Sequence, residues 1–114
     1  MSLYVTIEWE NYEKLAQELK EREDLTPFKT VVKANGARLQ KETMKITPID
    51  TGALMRSISL KITEGGLTAL VAPGMHYAAY VEFGTRFMAA QPYVRPAFDT
   101  VQAKFISDLR KLMD

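Results

Sequence analysis

Cysteine is missing from this chain altogether. Disulfide scaffolds, thiolate metal sites and cysteine nucleophiles are excluded with it. The absence fits a reducing compartment. Histidine is nearly missing too, since His76 is the only one. A serine–histidine site would have to use it, and Ser57 and Ser59 have no nucleophile-elbow glycines around them. His76 reads better as a turn residue beside Tyr77. One imidazole and no thiolate make a poor ligand set for a structural metal. The acidic candidates for proton transfer are Asp50, Glu64, Glu82 and Asp99. None shares a local motif with another, and each reads as a cap or an ion-pair member. Gly65-Gly66 lies between two expected strands, so it is no strand-to-helix phosphate loop. No apolar run approaches the roughly 18 residues that a membrane span needs. A basic-then-apolar signal segment is also missing from the N-terminal end. Neither charge dominates: 15 Lys and Arg face 14 Asp and Glu, for a net charge of +1. That gives no global attraction to nucleic acid or anionic lipid. We therefore expect no enzymatic activity, no metal and no cofactor.

What is present reads as one domain over residues 1–114, too short for two ordinary cores. Leu3 to Trp9 alternates apolar and polar residues, the pattern of a half-buried strand. Asn11 then opens a helix of about three turns with Tyr12, Leu15, Ala16 and Leu19 on one face. Thr26-Pro27 starts a long helix over about 27–47, the threonine as cap and the proline at the first helical position. Pro48 stops it. Its apolar stripe is Phe28, Val31, Val32, Leu39 and Ile46. Gly36 interrupts that helix at roughly 1 kcal/mol relative to alanine. It marks either a close backbone approach or a tolerated surface glycine. Asp50-Thr51-Gly52 reads as a turn in which Asp50 caps a helical turn through Leu54 and Met55.

Two strands follow, about 56–63 and 67–72, joined by Gly65-Gly66 as a hairpin turn. With Ile58, Leu60 and Ile62 facing inward, that turn places Leu60 opposite Val71 and Ile62 opposite Ala69. Pro73-Gly74 ends the second strand. Tyr77 to Phe83 fits a short helix with Tyr77, Tyr80 and Val81 on one side and Gly84 as a left-handed cap. Thr85 to Met88 reads as a short strand, and Pro92 breaks the chain. A last helix over about 95–112 carries Phe98, Val101, Phe105, Leu109 and Leu112 at spacings of three and four. The expected class is α+β: a small antiparallel sheet built on the hairpin, packed against the long helix and the C-terminal helix.

Residues 77–97 are dense in aromatics yet hold only three charges, Glu82, Arg86 and Arg95. A surface loop is normally more polar. Glu82 and Arg86, four residues apart, invite an ion pair. The string from Tyr80-Val81-Glu82-Phe83-Gly84-Thr85 through Met88-Ala89-Ala90-Gln91-Pro92 to Arg95-Pro96-Ala97 resembles the signature of a family of small tailed-phage neck proteins. These are tail-completion, head–tail joining or minor tail components. The upstream string from Thr47-Pro48-Ile49-Asp50-Thr51-Gly52 to Ala53-Leu54-Met55-Arg56-Ser57-Ile58 is similar to that family's other hallmark. The resemblance covers roughly residues 27–113.

It implies a structural phage or prophage virion protein, working as a ring or docked to neighbouring neck, tail and head-completion proteins. Its place would be the host cytoplasm during assembly and then the virion. The subunit or partner contacts would come from Phe83, Arg86, Phe87, Met88, Gln91, Pro92, Tyr93 and Arg95. The long helix also carries Lys29, Lys33, Lys41 and Lys45 roughly along one face, able to meet DNA phosphates in a channel. The alternative reading from those lysines is a small DNA-binding or regulatory domain, without aromatic interleaving for base readout.

Overall fold

The computed structural model describes residues 5–8, 25–49 and 52–112. The helix expected after Asn11 and the capping role expected of Asp50 lie outside them. Three strands, β1 (Val5–Glu8), β2 (Ser59–Thr63) and β3 (Thr68–Ala72), form an antiparallel sheet in the order β1-β3-β2. Among the described residues four α-helices accompany them: α1 (Thr26–Ile46), α2 (Ala53–Arg56), α3 (Ala78–Phe83) and α4 (Val94–Lys111). The expected α+β class holds, with the hairpin in its expected register: Leu60 pairs with Val71 and Ile62 with Ala69.

The boundaries differ for local reasons. Ladder pairing stops at Thr63–Thr68, because Glu64, Gly65 and Gly66 take positive φ (54°, 63° and 99°) and the Leu67 amide donates back to the Glu64 carbonyl at 3.2 Å, closing the turn. Residues 56–58 are not strand. Arg56 ends α2, and the Ser57 hydroxyl donates to the Leu54 carbonyl (2.6 Å) and accepts from the Gly74 amide (3.0 Å). A serine's alternation with isoleucine looks the same whether it faces solvent or closes a helix.

α1 starts one residue earlier than the Thr26-Pro27 signal suggests. Leu25 is the cap position and Thr26 the first helical residue. The helix ends at Thr47, whose ψ of 130° is the extended conformation required before proline. It buries Phe28, Val32, Asn35, Gly36, Leu39 and Thr43. Ile46, expected in that stripe, is exposed, and so is Ile62 at the sheet's open edge. The buried face packs along α4 on one side and across β3 and β2 on the other. α4 answers with Ala97, Val101, Phe105 and Leu109.

Two polar positions in that face have partners. Thr43 Oγ1 donates to the Leu39 carbonyl at 2.7 Å. Asn35 Nδ2 donates to the Val31 carbonyl and to Asp108 Oδ2, both at 3.0 Å, while Asn35 Oδ1 accepts from Arg38 at 2.8 Å. Lys104 Nζ lies 3.0 Å from Asp108 Oδ1. Burial alone would raise the Asp108 pKa; the hydrogen bonds from Asn35 and Lys104 and the nearby cations outweigh it and hold the carboxyl below its usual range.

Gly36 marks a close approach. A Cβ there would sit 2.7 Å from Ala69 Cβ and 3.1 Å from Leu60 Cδ1. Alanine would gain up to about 1 kcal/mol of helix propensity. Overpacking costs about 1–3 kcal/mol, and the Ala69 Cβ is fixed to a strand and cannot swing aside. We expect Gly36→Ala to lower the stability measured by urea unfolding, by about 1 kcal/mol; a variant more stable than the parent would contradict the close packing.

Candidate docking site

α3 buries Ala78, Ala79 and Glu82 and turns Tyr80 and Phe83 outward. The Glu82 side chain carries the local order. It is 4% exposed, and its carboxylate accepts from the Tyr93 and Val94 amides at 2.8 Å each and from the Arg95 amide at 3.2 Å. Those are the first amides of α4. The next residue, Pro96, has no N–H to satisfy. Glu82 therefore settles the whole set of free donors at the start of α4, and its charge meets the positive end of the helix dipole. This replaces the expected Glu82–Arg86 ion pair. Arg86 is exposed, its guanidinium stacks 4.7 Å from the Phe87 ring centre, and among the described residues it has no carboxylate partner.

Tyr93 is the second tie between α3 and α4. It is fully buried, and its hydroxyl donates to the Ala78 carbonyl at 3.1 Å. Burial first, then the Glu82 charge and Tyr77, push its pKa up to about 12. This corrects its assignment as a contact residue: Tyr93 belongs to the core.

Between the two helices the chain makes a hydrogen-bonded finger. Val81 O accepts from the Gln91 amide at 2.8 Å and closes its base. Thr85 and Met88 bond each other's backbone in both directions, at 2.8 and 3.2 Å, with Arg86 and Phe87 at the tip. The expected strand over Thr85–Met88 is thus one bridge inside a tight turn. Gly84 has φ 76° and ψ 178°, outside the left-handed helical cap expected of it. A Cβ there would lie 2.7 Å from the Ala90 amide nitrogen and 2.9 Å from the Met88 carbonyl oxygen. Both the φ/ψ pair and the folded-back finger demand glycine at this position.

The result is an aromatic tip held out in solvent. Phe87 is 85% exposed and Phe83 65%, with Tyr80 and Met88 also exposed. Beside them lies an open groove of about 620 Å³, lined by Pro48, Ile49, Leu54, Tyr77, Val81 and Met88, among others. Seven of the eight contact candidates, Phe83, Arg86, Phe87, Met88, Gln91, Pro92 and Arg95, are exposed in or beside this finger. Arg95 is engaged with Asp99 at 3.1 Å. Sequence reasoning missed Ile49, which is 68% exposed, and the groove walls Leu54, Tyr77 and Val81. A signal for them existed. The groove is where the two family-like strings meet, with Pro48, Ile49, Gly52 and Leu54 from the first and Val81, Met88 and Gln91 from the second.

The remaining sequence candidates lie elsewhere. Lys29, Lys33, Lys41 and Lys45 are all exposed on α1. His76 packs edge-on against Tyr77, ring centres 5.4 Å apart. A family model described as "Bacteriophage HK97-gp10, putative tail-component" matches residues 11–84. No curated protein and no solved structure matches the chain. The matched region ends at Gly84, the root of the finger, and reaches further toward the N-terminus than the resemblance did.

Removing the Glu82 carboxylate would strand three amides at once. We expect Glu82→Ala to cost about 3 kcal/mol or more, from buried donors left unpaired. Glu82→Gln, which keeps one accepting oxygen, should lie between it and the parent in a thermal or urea melt. Equal stability of all three proteins would remove the capping role.

Proposed function

Because the chain belongs to the HK97-gp10-like family of bacteriophage proteins, we propose that it is a structural component of the phage head–tail neck. In this reading it completes the tail or joins it to the head, by closing into a ring or by seating on neighbouring neck and tail proteins. It does no bond-making chemistry. It assembles in the host cytoplasm and remains in the virion.

One observation carries the proposal: the finger's aromatic tip is exposed and rigidly mounted at once. Phe83 and Phe87 contribute nothing to the chain's own core. Yet the turn that carries them is closed by backbone bonds at Val81–Gln91 and Thr85–Met88 and by a glycine that admits no side chain. Exposed aromatics on a fixed support are what a protein partner buries at the centre of an interface. Pre-ordering also lowers the entropy lost on docking. A ring needs two different patches on each subunit, and the finger with its adjoining groove forms one of them. Where a duplex passes such a ring, the exposed Lys29 and Lys33 supply charge for phosphate contact.

Phe83→Ser with Phe87→Ser tests this. Both side chains are exposed, so the melting temperature should stay near the parent's. Incorporation into particles, or co-assembly with neck and tail partners, should fall about tenfold or more, as for loss of a hot-spot aromatic. Normal incorporation by a folded double variant would contradict the proposal.

A further inference from the structure

The four lysines of α1 do not share one environment. Each step of four residues turns the helix by about 40°, so Lys29 and Lys45 point about 160° apart. Lys29 lies along Gly66 of the hairpin turn. Lys41 and Lys45 instead flank a shallow hollow of about 360 Å³ between the second half of α1 and α2, with Ala37, Gln40, Met44 and Met55 as its other walls. Gln40 is fixed there, its Nε2 donating to the Ile58 carbonyl at 3.1 Å. Neither Lys41 nor Lys45 makes an ion pair among the described residues.

We propose that this hollow is a second docking surface, for an acidic amphipathic helix of another protein. The charge argues for it: two ammonium groups with no ion-pair partner among the described residues border the hollow, and none of its lining residues is a carboxylate. The spacing argues for a helix. Lys41 and Lys45 are one turn apart, about 6 Å along the axis, which matches two carboxylates placed four apart on a helix laid alongside. The floor argues against nucleic acid. Two methionine side chains and an alanine offer adaptable apolar contact, useful to leucine or phenylalanine on the partner and of no use to a phosphate backbone. This surface is separate from the finger and groove, so it stands or falls independently of the neck assignment.

The test uses the full chain and a labelled synthetic helix carrying two leucines four apart, flanked by two glutamates four apart. Fluorescence anisotropy should show saturable binding that weakens with added salt. Lys41→Glu with Lys45→Glu should weaken it at least about tenfold, and a lysine-for-glutamate version of the helix should bind that variant and not the parent. Met44 is half-buried against the core, so Met44→Gln should weaken the parent's binding while a thermal melt still shows a cooperatively folded protein. No saturable binding would overturn the proposal. So would binding indifferent to Met44 and displaced by duplex DNA, which would assign the lysines to nucleic acid.

Discussion

A buried carboxylate decides how the C-terminal third of this molecule is arranged. Glu82 sits on α3, and three backbone amides at the start of α4 converge on it. A single side chain thus fixes where α4 begins and how closely α3 approaches it. Tyr93 repeats the tie through its hydroxyl to Ala78. With both ends of the 84–92 segment pinned, the finger between them has little freedom, and Gly84 lets it fold back on itself. A buried acid without a cation would be costly elsewhere. Here the helix end supplies the compensating donors.

From that constraint the exposed features follow. The pinned helices hold Phe83 and Phe87 outside the buried cluster to which Tyr93, Ala78 and Ala97 belong. The adjacent groove takes its other wall from the turn after α1, where Pro48 ends the helix and Gly52 at φ 82° begins α2. Two segments about thirty residues apart in the chain therefore build one surface. α1, which packs on both α4 and the sheet, also contacts α2 of the groove wall.

Much of this was legible in the sequence. The alternation of Ile58, Leu60 and Ile62 and the Gly65-Gly66 turn fixed the hairpin register, because turn type and pleat had to agree. Pro48 marked the end of α1, and the stripe of α4 held from Val101 to Leu109. Other features resisted for identifiable reasons. Arg86 stands four residues after Glu82, a spacing that suggests a helical ion pair only while the helix continues. Gly84 ends α3 first, so Arg86 swings to the finger tip and Glu82 turns to α4. Tyr93 looked like a surface aromatic among prolines, and nothing local reveals that its hydroxyl finds Ala78 fifteen residues back. The candidate site was read from one string when the structure builds it from two.

Amide hydrogen exchange tests the central constraint most directly. If the Glu82 carboxylate holds the start of α4, the amides of Tyr93, Val94 and Arg95 exchange slowly in the parent and markedly faster in Glu82→Gln, while Phe105 and Leu109 keep their protection. Equal exchange at Tyr93, Val94 and Arg95 in both proteins would contradict the account.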